Sequence, residues 1–192
     1  MNPLFRVATK RPRAAGTEEL RVVGRVEAIE ANITKLPVDA IVNAANEALR
    51  GGGGIDAAIH NAAGPRLLDA CRQFDGCPTG EVRLTPAFNL PAQWVIHTVG
   101  PKWRGGATGE DDMLARCYRN ALWLASAIGA RSISIPAIST GVYGFPVQRA
   151  AGIAAREATA YVRAHPEIER VVLVCHGTDA LAVFTDALAR TG

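Results

Sequence analysis

The chain has 192 residues, 48% of them hydrophobic and 20% charged, a balance that suits one globular domain. No apolar run approaches the roughly 20 residues that span a bilayer, and the N-terminus lacks the apolar core of a secretory signal. The net charge of +3 is concentrated at the start: residues 1–25 carry +4 and the remainder −1, so the body offers no basic surface dedicated to nucleic acid.

A domain of this size buries about 70% of its unfolded surface, and so needs neither disulfides nor a structural metal. Cys71, Cys77, Cys117 and Cys175 are irregularly spaced, with no CxxC pair. They read as small apolar residues in a reducing, cytoplasmic compartment, not as zinc ligands. Residues 1–20 hold Arg6, Lys10, Arg11 and Arg13 before the first acid, Glu18. This segment reads as a disordered basic leader, with a transit peptide as the alternative, and residues 21–192 as one domain.

Taken in chain order, residues 20–31 are β-rich, and residues 38–46 open with a short apolar strand. Residues 55–64 read as helix, and 81–87 and 94–100 as strands. From Glu110 to Ile128 apolar residues recur with a helical period. Residues 132–137 form a buried strand, and Val147, Ala151, Ala154, Ala158 and Val162 mark a second amphipathic helix. Residues 170–177 are another buried strand, followed by a last helix over 179–190. Strands such as "SISIP" and "VVLV" are apolar on both faces. Alternating with helices, they predict an α/β sandwich with a largely parallel sheet. Ligands of such sheets sit beyond the carboxyl ends of the strands.

Two post-strand loops stand out. The first, "NAANEALRGGGGID", places four glycines before a helix that starts near Ile55. Glycine lets a ligand approach the main chain, and a helix N-terminus offers free N–H groups. Together they predict a phosphate site, although neither GxGxxG nor GK[ST] is present. Asp56 would ordinarily be a helix-dipole partner. Beside bound phosphates it is repelled, so it should face a water or a hydroxyl. Asn46 should point into the same cleft, its alternative being a loop cap. The second loop, "ISTGVYGFPV", carries Gly141, Gly144, Tyr143 and Phe145 between strand and helix. Ser139 to Val142 offer backbone donors, and Tyr143 a flat face suited to a ribose.

"DAIVNAANEALRGGGGIDAAIHNAAG", "CPTGEV", "VIHTVGPKW" and "IPAISTGVYGFP", in that order, resemble the macrodomain family. The likeness is to its MacroD-type branch of ADP-ribosyl hydrolases and O-acetyl-ADP-ribose deacetylases, and it spans about residues 22–190. It implies a three-layer α/β/α sandwich around a central mixed sheet and a cleft for ADP-ribose. It also implies Asn46 and Asp56 as catalytic residues, Gly53, Gly54 and Ile55 as the first phosphate loop, and Ser139, Thr140, Gly141, Val142 and Tyr143 as the second. Where the family has "GDIT", this chain has "ANIT". Asn32, with Ile33, takes the adenine position, and Asn32 accepts from an amino group without charge assistance. His176 stands where relatives carry Phe or Tyr against the adenine, and stacks with a pH-dependent charge.

The expectation is hydrolysis at the distal ribose of mono-ADP-ribosyl esters on acidic side chains and of O-acetyl-ADP-ribose, with no cofactor and no metal. Asp56 would act as general base on a water, and Asn46 would hold a ribose hydroxyl. His60 and His97 read as hydrogen-bonded structural residues. The expected partners are ADP-ribose, its derivatives and mono-ADP-ribosylated proteins, with no membrane. Two rivals stand beside this reading: a non-catalytic ADP-ribose reader, which needs both loops but not the Asn46–Asp56 pair, and a nucleic-acid or poly(ADP-ribose) binder using the basic leader.

Overall fold

The structure, a computed structural model, describes residues 25–191; the expected leader over residues 1–20 lies outside them. Six strands are β1 (Arg25–Glu30), β2 (Ala40–Ala44), β3 (Val82–Pro86), β4 (Trp94–Thr98), β5 (Ser132–Pro136) and β6 (Arg170–Cys175). Five helices are α1 (Gly54–Ala63), α2 (Pro65–Cys71), α3 (Glu110–Ala127), α4 (Val147–Ala164) and α5 (Thr178–Ala189). The sheet order is β1-β6-β5-β2-β4-β3. All neighbouring pairs are parallel except β3 with β4, so the sheet is mixed and largely parallel.

The strands are apolar on both faces because each face meets a helical layer. In β2, Ala40 and Val42 join the core under α3, α4 and α5, while Ile41 joins the core under α1 and α2. In β6, Val171 and Leu173 take the first side and Val172 and Val174 the second. The period-2 alternation of a strand therefore divides one apolar run between two cores. This is the α/β sandwich that the residue pattern predicts, with the three layers that the family resemblance implies. α2 is the one helix missing from that pattern: Gly64 turns the chain at φ 84°, and Pro65 restarts a helix at once. A Gly-Pro pair reads as a stop, but proline also suits the first turn of a helix.

The two ends of the sheet are built differently. At the amino ends of the strands, Asp39 Oδ2 accepts from the Arg131 amide and from the Ser132 amide and hydroxyl, at 2.8–2.9 Å. Burial pushes its carboxyl up, but these donors prevail and hold it below the usual value. That end is closed by satisfied bonds. The carboxyl ends of β2, β4 and β5 open instead into loops with polar atoms left unpaired. Among the described residues no helix is long and apolar enough to cross a membrane.

Candidate active site

Three loops meet at the carboxyl ends of the central strands. The loop after β2 carries Asn46 and the glycines, the loop after β5 carries Ser139 to Tyr143, and the loop after β4 begins at Val99 and Gly100. Between them lies a cleft of about 300 Å³. Gly51 and Gly54 have φ of 79° and 58°, a left-handed region that side-chain-bearing residues rarely adopt. No side chain caps α1, whose N-cap is Gly53, so its first-turn amides face the cleft without an intrachain partner. Across from them Ser139 adopts φ 66°, strain that a non-glycine residue carries chiefly at functional sites. Its hydroxyl is buried with no hydrogen-bond partner.

Phe145 and Tyr143 divide the aromatic duties of the second loop. Phe145 is buried and meets Trp103 edge-on at 4.8 Å between ring centroids. Tyr143 is half-buried and lines the cleft. Its carbonyl accepts from the Trp103 amide at 2.8 Å, which fastens the β4 loop to the β5 loop. Glu110, at the start of α3, holds the rest of the β4 loop through the amides of Arg104, Gly106 and Thr108 at 2.7–3.1 Å. Burial acts against its charge, yet its own amide, those of Gly106 and Thr108 and the Thr108 hydroxyl hold its carboxyl down to about 2.

Asp56 and Asn46 converge on Gly52. A Cβ built there would lie 3.1 Å from Asp56 Oδ2 and 3.2 Å from Asn46 Nδ2, so only glycine leaves both atoms open. Asp56 is 3% exposed. Its Oδ1 accepts from Asn43 Nδ2 at 2.7 Å, and Oδ2 is buried without a partner. Burial raises the Asp56 carboxyl above the ordinary carboxylate range, against the opposing pull of the Asn43 bond and of His60. Asn46 Nδ2 donates to the Gly51 carbonyl at 2.7 Å, so the residue does cap its loop, but Oδ1 stays buried and unpaired. On two residues that line the cleft, one carboxylate oxygen and one amide oxygen are therefore buried and unpaired among the described residues. This arrangement suits a water or a hydroxyl.

Behind Asp56 runs a buried polar chain. Asn43 Nδ2 also reaches His97 Nδ1 at 3.2 Å, and His97 Nε2 lies 2.9 Å from Thr85 Oγ1. Asn43 can only donate there, so His97 accepts at Nδ1 and carries its proton on Nε2. Burial, aided by His60, lowers the His97 pKa to about 3, so the ring is neutral. His97 is the structural residue that its sequence context suggests. His60 is different: its Nε2 is 3.4 Å from Asp56 Oδ1, at the edge of the site.

The lowered pKa of His97 has a consequence for stability. Below its unfolded value of about 6.5 the unfolded chain takes up a proton that the folded chain refuses until about pH 3. Stability present above pH 6.5 is therefore lost as pH falls through that window, by up to about 1.4 kcal/mol per pH unit from this one group. Urea unfolding at pH 7, 5.5 and 4 should show a shallower loss in His97→Gln, which keeps an acceptor and a donor at the site.

The expected site residues fall into two groups. Asn46, Gly53, Gly54, Ile55, Asp56, Ser139, Gly141, Val142 and Tyr143 line one cleft. Thr140 turns its hydroxyl back onto the Ala137 carbonyl at 2.9 Å. Ile33 is core, 1% exposed. Asn32 caps the short 3-10 turn Ile33–Lys35, its Oδ1 accepting from both the amide and the hydroxyl of Thr34 at 3.0 and 2.7 Å. That occupies the lone pairs on which an adenine amino group would call. His176 is exposed just after β6. Asn32 and His176 do not line the cleft; they follow β1 and β6, which pair in register up to Glu30 and Cys175. Gly52, Gly100 and Ala137 also line the cleft. Gly100 sits in the motif "VIHTVGPKW", which was legible as a family segment but carries no polar side chain to mark it as part of the site. Among the described residues, no three His, Cys, Asp or Glu side chains gather as metal ligands would.

The chain is similar in sequence and fold to proteins of known kind. Residues 42–154 match the family model of the macro domain. A macro domain-containing protein of Methanosarcina mazei is 50% identical over 168 residues, 88% of this chain and 90% of that protein. The O-acetyl-ADP-ribose deacetylase of Salmonella typhimurium is 49% identical over 175 residues, 89% of this chain and 98% of that enzyme. The Oceanobacillus iheyensis macrodomain with ADP superposes with a TM-score of 0.84 at 40% identity, over 88% of this chain and 92% of that one. That macrodomain has also been solved as an asparagine-to-alanine and an aspartate-to-alanine variant at positions ten residues apart, the spacing of Asn46 and Asp56. A glycine-to-valine variant of it, three positions before the aspartate as Gly53 is before Asp56, is described with ADP-ribose. A matching model across more than half of the chain, half-identical relatives and a shared fold lead to one conclusion: this chain belongs to the macro domain family.

Proposed function

We propose that the chain binds ADP-ribose in the cleft and hydrolyses esters at its distal ribose, with O-acetyl-ADP-ribose and mono-ADP-ribosyl esters of acidic side chains as substrates. The observation that carries this reading is that Asp56 and Asn46 converge on Gly52 and that Asp56 Oδ2 and Asn46 Oδ1 are both buried and unpaired among the described residues. A binding module has no need of a carboxylate whose charge is penalised by burial, next to phosphates that repel it. A base does, because a raised pKa strengthens its grip on a water proton. Asn46 Oδ1 is free to accept from a ribose hydroxyl, with Nδ2 anchored on Gly51 so that the side chain is held in place.

The amides at the start of α1 and those of Gly141 and Val142 would take the pyrophosphate from its two sides. Tyr143 would lie against the distal ribose. Adenine would fall at the β1/β6 end near Asn32 and His176, where Asn32 must give up a Thr34 bond to accept from it. The deacetylase name of several relatives at about 50% identity supports the enzymatic reading over a reader. The reading predicts that the protein releases free ADP-ribose from a glutamate-linked ester and leaves an arginine N-linked conjugate intact. Retention of the ester with tight binding would instead identify a reader.

A further inference from the structure

A second and larger cavity, of about 500 Å³, adjoins the cleft on the far side of Asn46, Gly100 and Tyr143. The order of strands fixes its place. Asn32 and His176 follow β1 and β6, the phosphate loops follow β5 and β2, and this cavity lies under the loop that follows β4. It is thus at the opposite end from the adenine position, beyond the residues proposed to hold the distal ribose. Whatever is attached to that ribose must leave in this direction.

Two acids and two cations line the cavity, and they are not equivalent. Glu110 spends its carboxylate on three loop amides, and Glu47 Oε1 accepts from the Thr79 hydroxyl at 3.1 Å. Lys102 and Arg104 are exposed and form no ion pair among the described residues. The Lys102 ammonium sits over the Tyr143 ring, 5.5 Å from its centroid, at the boundary between the two cavities. The Arg104 side chain hydrogen-bonds nothing among the described residues; only its backbone amide is used, by Glu110. Lys102 and Arg104 are thus the cationic groups of the cavity with no side-chain hydrogen bond or ion pair among the described residues, beside an exposed Glu47 whose carboxylate is held only by Thr79, while an acetyl group would fill little of the volume.

We infer that this cavity is the subsite for the leaving part of the substrate, and that it takes a peptide segment with carboxylates flanking the modified acidic residue. Lys102 and Arg104 would meet those flanking carboxylates, while the ester carbon stays at Asp56. The inference rests on the hydrolase reading above and adds a preference to it. Exposed ion pairs are individually weak and screened by salt, so the effect expected from two of them is about three- to tenfold in kcat/KM at low ionic strength.

The test compares three substrates: a peptide with a mono-ADP-ribosylated glutamate flanked by Asp and Glu, the same peptide flanked by Ser and Gln, and O-acetyl-ADP-ribose. Wild type should favour the acidic peptide, and the preference should shrink with added salt. Lys102→Gln with Arg104→Gln should abolish the preference while turnover of O-acetyl-ADP-ribose stays as in wild type, which also reports an intact fold. Arg104→Gln alone, where no side-chain bond is lost, should remove part of it. No preference in wild type, or an equal loss on O-acetyl-ADP-ribose in Arg104→Gln, overturns the subsite and leaves the hydrolase standing. Failure of wild type to turn over any of the three overturns the hydrolase reading, and the subsite with it.

Discussion

Asp56→Ala should bind ADP-ribose within about threefold of wild type and lose about 10²- to 10⁴-fold in kcat on O-acetyl-ADP-ribose, the range that a positioned general base contributes. Binding should survive because the proposed phosphate donors are backbone amides, which the substitution leaves in place. Isothermal titration and a deacetylation assay on the same preparation give both numbers. Asp56→Asn should show the same kinetic loss with a different stability. It keeps an acceptor for Asn43 but removes the buried charge. Because the Asp56 pKa is raised in the folded state, the charge costs stability at neutral pH and costs nothing below its ordinary value of 3.8. Asp56→Asn should therefore melt above wild type at pH 7, and the difference should fade as pH falls towards 4. Full activity in either variant would mean that a substrate phosphate takes the proton, not Asp56.

Gly100→Ala should have the opposite signature, with affinity lost before chemistry. A Cβ on Gly100 would sit 2.6 Å from Ile138 Cγ2 and closer still to the Ser139 hydroxyl. Ile138 is fully buried and cannot retreat. The strain must go into the second phosphate loop, where Ser139 already holds a left-handed backbone and accepts from the Phe145 amide at 3.0 Å. Overpacking of this kind costs about 1–3 kcal/mol. Expressed on the loop, that is about ten- to hundredfold in the Kd for ADP-ribose, with a Tm lower by several degrees. Unchanged affinity would show that the β5 loop does not grip the ligand.

The fold was legible because the apolar pattern reports burial directly. Runs such as residues 132–137 and 170–175 carry no polar face, and only a sheet covered on both sides accepts them. That two glycine-rich loops would meet at one cleft was legible, because glycine clusters after strands have few other uses. Less legible were the features that depend on what lies across the fold. Asn43 looks like one more residue of β2, and only the structure sets it between Asp56 and His97. His60 lies four residues after Asp56, one turn on along α1, a spacing that could have flagged it. Glu110 reads as a helix-dipole acid, yet it folds the β4 loop back onto itself. Asn32 reads as a ligand contact, and the structure adds that it caps a 3-10 turn whose existence the sequence does not announce. In each case one residue type serves two roles equally well, and the backbone conformation or the fold, not the residue type, selects the partner.

The division of labour follows from this geometry. On the proposed function, backbone amides and glycines would grip the ligand, and one carboxylate would cut it. The central claim is that the Asn46–Asp56 pair makes the protein an enzyme and not a holder of ADP-ribose. The most direct measurement is the release of acetate and ADP-ribose from O-acetyl-ADP-ribose supplied in large excess over the wild-type protein. The account predicts many turnovers per site, abolished in Asp56→Ala with binding kept. Stoichiometric binding without release would contradict it.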